Sequence, residues 1–284
     1  MSRQELFRRM RKSNFFVIGA VLVSFIIFVS LISPWAAPHN PIASDLTLRL
    51  KMPDGFSKGW SGYILGTDPL GQDILSRLMV GSRVSLWISF SVVITTAIIG
   101  TILGIISGFF GGIIDTVIMR FSDIQVSIPP MILAVAVMAV LGNSTSNLIL
   151  VLVFTRWVQY ARVVRSNVMG IRNMEYIHAS QVLGSSKKRI MFTQILPNVL
   201  TQLIIVMSQE FGRTILTESS LSFLGLGVPA PAPSWGVMIA DGREYLATAP
   251  WVVVAPGAAL MIAVLAFNFL GDGVRDVLDP KNKN

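Results

Sequence analysis

The chain has 284 residues, of which 52% are hydrophobic and only 13% charged, with a formal net charge of +8. A soluble domain carries roughly 25% charged residues, so this composition describes an integral membrane protein, and its basic excess fits lysine and arginine held on one side of a bilayer rather than nucleic-acid binding. There is no cysteine, and the two histidines are His39 and His178, which excludes disulfides, thiol chemistry and clusters of His and Cys metal ligands.

Apolar runs near the ~20 residues that cross hydrocarbon predict six spans. Arg3, Arg8, Arg9, Arg11 and Lys12 precede the first, 15–32. This start resembles a signal peptide, but the run is too long and Pro34-Trp35-Ala36-Ala37 is a poor cleavage site, so an uncleaved anchor is expected. The following loop holds GTDPLGQDILSRLMVGSRVSL from Gly66. Asp68 as N-cap, Pro69 at the first helical position and Gly81 as the stop predict a short amphipathic helix with Leu70, Ile74, Leu75, Leu78 and Met79 on its apolar side. It reads as a shelf on the outer leaflet or as a docking surface for an extracytoplasmic partner. Asp68 and Asp73 are explained by that helix and not as a catalytic pair.

The second span lies within 84–110. Gly100, Gly104, Gly108 and Gly112 recur at every fourth position, giving a helix-packing face that admits another backbone, from this chain, from a partner subunit or from a moving helix. The third lies within 124–141, its entry kinked by Pro129-Pro130, and the polar turn 142–147 follows it. The fourth runs from 148 toward 164. It is interrupted by Arg156, which, beside Trp157 and Tyr160, is expected to snorkel to the cytoplasmic interface. The fifth begins near Val199 and the sixth covers 250–270. Glu210, Arg213 and Glu218 in the fifth are translocation-path candidates, because ionisable residues inside a membrane mark function by default. Glu210 and Arg213 also read as a self-neutralising pair at i, i+3.

Between the fourth and fifth spans, 173–198 reads NMEYIHASQVLGSSKKRIMFTQILPN. Asn173 as N-cap and Glu175 open a first short helix, which Gly184 ends. Ser185 caps a second one carrying Lys187, Lys188 and Arg189, and Pro197 marks the next span. Three adjacent cations at mid-membrane would cost roughly 8–10 kcal/mol, so this segment lies in water. His178 on it reads as a solvated surface residue rather than a switch. Basic residues concentrate in the N-terminal tail and in 162–189, while 142–147 has none, which predicts both termini and this handle on the cytoplasmic side. The divisions expected are 1–83 (tail, anchor and extracytoplasmic loop), 84–270 (a five-helix core with the handle) and 271–284 (a cytoplasmic tail).

The handle resembles the cytoplasmic loop of binding-protein-dependent ABC importer permeases, which runs Glu-Ala-Ala, three residues, Gly, nine residues, Ile-x-Leu-Pro. The register places His178-Ala179-Ser180, Gly184 and Leu196-Pro197 on that form, with His178, Ser180 and Gln194 departing from it. LGTDPLGQD with GSRVSL, WVQYARVVR from Trp157, SFLGLGVPAPAPSWG from Ser222 and LGDGVRDVLDP from Leu270 resemble the oligopeptide/dipeptide/nickel branch, in particular its second, C-type permease. Gln72 stands where that branch usually has arginine. The resemblance implies an all-α, six-helix permease of the type I importer kind, paired with a second homologous permease subunit. Two ABC ATPase subunits would hold ATP and Mg, an extracytoplasmic substrate-binding protein would deliver cargo, and this chain would carry no cofactor of its own. The ATPase-coupling residues it implies are Glu175, His178, Ala179, Ser180, Leu183, Gly184, Lys187, Lys188 and Arg189. Cargo would be di- or oligopeptides, or nickel chelates, glutathione or opine-like solutes.

Two other classes are open to such a chain. An ion-coupled secondary transporter would use Glu210, Arg213 and Glu218. A membrane-embedded enzyme is disfavoured because no G-x-x-x-x-G-K-[ST] or H-E-x-x-H occurs and no span carries histidine or cysteine.

Overall fold

The computed structural model describes residues 3–278, with side chains from Phe7 onward. Among these residues the architecture is helical, with one antiparallel bridge between Thr67 and Asp73. Helix α1 is Arg3–Lys12 and α2, the first span, is Asn14–Ala36. Ser13 caps α2, its Oγ accepting from the Phe16 amide at 3.3 Å. Residues 279–284, the end of the expected C-terminal tail and of its Leu-Asp-Pro motif, lie outside the described residues.

The short amphipathic helix expected at 68–81 does not form. Asp68 closes a turn instead: its Oδ1 accepts from the Leu70 and Gln72 amides at 2.8 and 2.9 Å, and Gly71 takes φ 74°. Helix α3, Ile74–Phe110, starts beyond that turn, capped by Asp73, whose Oδ2 accepts from the Ser76 amide at 2.8 Å. Gly81 lies inside α3 rather than at its end, and Pro69 lies in the turn. Ile74 and Met79 are buried within the protein, so this segment does not float on a leaflet.

The third span is broken. Gly111 and Gly112, at φ 67° and 55°, start α4 (Gly112–Val126), and α5 (Pro130–Leu141) departs from it at 88°. Pro130 opens α5, where its missing N–H costs nothing. With that pair counted as one crossing, up to six spans are long and apolar enough for a membrane. An even number returns both ends to the same side.

Helix α6, Thr145–Arg172, is capped by Ser144 and continues past the expected end near 164. Asn173 is its C-cap and not the N-cap of the next helix, α7 (Glu175–Val182), which starts after Met174 with no side-chain cap. The second handle helix is capped by Ser186 rather than Ser185: α8, Lys187–Ile190, runs through a π-helical turn, Met191–Ile195, directly into α9, Leu196–Phe223. It is the foot of the fifth span rather than a separate piece. The wider i→i+5 turn lies just ahead of Pro197, which cannot donate to the ladder. Helix α10 is Trp235–Gly242, and α11, Trp251–Leu278, overruns the expected end at 270.

Glycine sets the central crossing. A Cβ on Gly104 would lie 2.6 Å from the Ala161 carbonyl oxygen, and one on Gly108 would lie 2.8 Å from Val168 Cβ. Gly100 meets Tyr160 in the same way, so α3 and α6 pack backbone to backbone within this chain. Gly112 is not on that face, because the helix has ended and nothing lies within 4 Å of it. A second close crossing joins α2 to α11, where Gly19 meets the Leu270 backbone and Gly273 meets Phe16.

Candidate functional site

The handle is fixed from beneath by isoleucine. Ile177 of α7, Ile190 of α8 and Ile195 in the π turn are fully buried against Phe109, Val164, Val168 and Val199, which belong to α3, α6 and α9. Each buried side chain of that size stabilises the attachment by about 1.5–3 kcal/mol. Polar ties add to this. Gln194 Nε2 donates to Ser180 Oγ at 2.8 Å, Arg172 Nη1 donates to the Phe109 carbonyl at 2.9 Å, and Lys187 Nζ lies 5.7 Å from the centre of the Phe110 ring. The handle is thus packed against three spans, α3, α6 and α9.

Its joint has the geometry that glycine permits. Gly184 takes φ 80°, its amide bonds to the Gln181 carbonyl at 3.0 Å, and the Ser185 amide bonds to the Ser180 carbonyl at 3.0 Å. This is the Schellman closure of α7. The outer face is open. Glu175, His178, Ala179, Lys187, Lys188 and Arg189 are exposed, and Ser180 is turned inward toward Gln194. Val182 and Leu183 at the tip are 88% and 85% exposed. Two large apolar side chains thus stand exposed beside each other on a basic, water-facing unit. Val182 and the three isoleucines belong to no motif in the sequence; the apolar residues Ile177, Ile190 and Ile195 within a polar segment are their only signal.

A second constellation lies within the membrane. Glu210, 2% exposed, accepts from Arg156 Nη1 at 2.6 Å and from Arg213 Nη1 at 2.9 Å. Arg156 also donates to Thr217 and does not snorkel: the buried carboxylate on α9 offers it a partner at its own depth. Arg213 has a side chain 60% exposed and lies about 15 Å from the outer end of α9, near the middle of the ~30 Å hydrocarbon. A guanidinium facing lipid there costs about 2.5–3.5 kcal/mol, so this face of α9 abuts water or protein. Glu218 does not join the cluster. It is fully buried and accepts from Ser222 at 2.9 Å and Ser234 at 3.1 Å, with Ser219 and Ser85 at 3.3 and 3.4 Å, tying α9 to α3 and to the start of α10.

At the outer end of α3, Arg77 bridges Asp68 at 2.6 Å and Asp241 at 3.5 Å. Burial pushes the Asp241 carboxyl up, with Arg77 opposing and Asp68 adding to the rise. Gln72 reaches back to the Ile42 carbonyl at 3.2 Å and to Ser44 Oγ at 2.9 Å. These contacts knit the extracytoplasmic loop to α3. No group of three or more His, Asp or Glu that could hold a metal occurs among the described residues.

The family of binding-protein-dependent transport system inner membrane components matches residues 100–284. The chain belongs to that family.

The permease also matches, over residues 3–53, the N-terminal TM domain of oligopeptide transport permease C. It is 41% identical to the dipeptide transport system permease protein DppC of Escherichia coli over 281 residues, covering 99% of this chain and 93% of that protein. It is 40% identical to the di/tripeptide transport system permease protein DppC of Pseudomonas aeruginosa over 266 residues, covering 94% and 88%. The corresponding Haemophilus influenzae permease is 37% identical over 280 residues, covering 99% and 95%. A chain of the inward-facing MetNI methionine ABC transporter shares the fold, with TM-score 0.57 and 22% identity over 70% of this permease and 95% of that chain. The permease is thus a multi-pass component of the cytoplasmic membrane and a transport subunit rather than an enzyme.

Proposed function

We propose that this permease is a transmembrane subunit of an ATP-driven, binding-protein-dependent importer of di- and oligopeptides or similarly delivered solutes. The peptide cargo rests on the relatives, whose names are those of dipeptide and di/tripeptide permeases. A second homologous permease subunit completes the path. Two ATPase subunits bind ATP and Mg, and an extracytoplasmic binding protein supplies cargo from above.

One observation carries the coupling role: Val182 and Leu183 stand exposed on a unit whose opposite face is locked to three spans by Ile177, Ile190 and Ile195. The exposed tip, with Glu175, His178 and the basic triplet 187–189, fills a groove on one ATPase subunit. Closure of the ATPases on ATP then draws the handle sideways and rocks α3, α6 and α9. Glu210 and Arg213 border the path that this movement opens to alternate sides, and Glu218 holds its outer end together.

Labelled-dipeptide uptake by proteoliposomes holding the whole importer tests the proposal. Accumulation is expected to need ATP and the binding protein and to survive collapse of ion gradients. Uptake by this chain alone, driven by a proton or sodium gradient, contradicts it and returns the secondary-transporter reading.

A further inference from the structure

Arg213 is the half-used member of the membrane charge cluster. Arg156 is bound on several sides, with Glu210, Thr217 and the Arg213 carbonyl as acceptors. Arg213 gives one hydrogen bond, to Glu210 Oε1, and its side chain is 60% exposed. Two guanidiniums on one carboxylate leave a formal charge of +1 at this point, on the open side of α9. A guanidinium has five N–H donors in a planar fork, so most of Arg213's donors are unused on its exposed side.

Toward the cytoplasm this side of α9 alternates glutamines with Ile205 and Val206. Gln209 and Gln202 follow at helical spacing from Arg213, and both border a groove of about 690 Å³ between α6, α9 and α11. Its lining includes the amides Asn167 and Asn198 and a single charge, Arg275. Where α9 and α11 close by packing they use small residues, Gly212 and Gly271; the open groove beside them, apolar-walled and edged with amides, suits a solute in passage.

We infer that Arg213 receives a carboxylate of the transported solute through a forked hydrogen-bonded contact, and that the groove edged by Gln209 and Gln202 carries this group on toward the cytoplasm. Arginine suits the task because its fork matches both carboxylate oxygens and its charge is permanent. The inference rests on the path-lining reading above and adds the chemistry recognised there.

The test uses the complete importer with its own binding protein in ATP-loaded proteoliposomes, fed a dipeptide and, separately, its C-terminal amide. Because the binding protein is a different chain, its own preference is common to every permease variant. Arg213→Gln is expected to lower uptake of the free acid about ten-fold and that of the amide less than two-fold. Arg213→Lys, which keeps the charge but not the fork, is expected to fall between. Equal losses for both cargoes, or no loss for either, would overturn the inference. So would loss of the second permease subunit from the purified Arg213→Gln complex, because the guanidinium would then be pairing with that subunit. Wild-type importer that takes up no peptide at all would instead refute the proposed function, whereas peptide uptake indifferent to position 213 refutes this inference alone.

Discussion

Gln194 Nε2 donates to Ser180 Oγ at 2.8 Å, which joins the two positions, apart from His178, at which the handle departs from the permease loop form. The π turn carrying Gln194 is thereby tied to α7 by one polar contact where that form has an isoleucine and an alanine. Gln194 Oε1 remains buried without a partner, so the contact is not fully satisfied. Removing one member is expected to be worse than removing both. Ser180→Ala should cost about 1 kcal/mol and speed amide exchange in α7 roughly five-fold. Adding Gln194→Ile should recover most of that loss. Hydrogen exchange on the purified importer reads both, and additive losses would contradict the pairing.

The α3–α6 crossing predicts a graded glycine series. Gly104→Leu forces a side chain into the Ala161 carbonyl and should reduce folded permease in the membrane severely, an overpacking of about 3 kcal/mol or more. Gly112→Asn, with open space around it and a residue type that tolerates positive φ, should cost under about 1 kcal/mol. Thermal unfolding of the two variants in detergent orders them. Equal effects would mean that all four glycines serve one face.

Glu210 is expected to be the most sensitive of the membrane carboxylates. Glu210→Ala leaves Arg156 mostly buried without its counter-charge, at a cost of about 3–5 kcal/mol. Combining it with Arg156→Met should restore part of the stability, since the more buried of the two uncompensated guanidiniums is then gone and only the more exposed Arg213 remains. Thermal stability and yield of the two variants check this, and a double variant worse than the single one would contradict it.

The extracytoplasmic loop should loosen in acid. Hydrogen bonding from Lys51, joined by Lys58 and the Tyr63 amide, holds Asp54 well below the ordinary carboxylate range, at about 2. A depressed native value contributes stability above the unfolded value near 4, and that contribution is lost as pH falls toward 2. Amide exchange around 54–63 should accelerate over that interval, and in Asp54→Asn the dependence should flatten. An unchanged profile in the variant would assign the acid response elsewhere.

Much of the architecture was legible because hydrophobic runs of membrane length are unambiguous, and because glycine at 184 has few other uses after a helix. What escaped was set by register between distant segments. Nothing local says that Arg156 reaches the depth of Glu210, or that Gly81 passes inside a helix while Gly71 turns the chain. The handle was placed by its charge, yet its attachment depends on isoleucines that look alike wherever they occur. Asp68 and Asp73 are both able to cap, and the choice fell to Asp73 because Arg77 and two amides engage Asp68. The break after α4 was visible as Pro129-Pro130, but not its 88° angle.

The ratio of peptide imported to ATP hydrolysed in Gly184→Val importer tests the lever most directly. A β-branched residue resists φ near 80°, so α7 loses its closure while the spans, which do not touch this position, still insert. Hydrolysis is expected to continue with uptake reduced ten-fold or more. Uptake at the wild-type rate per ATP would contradict the account.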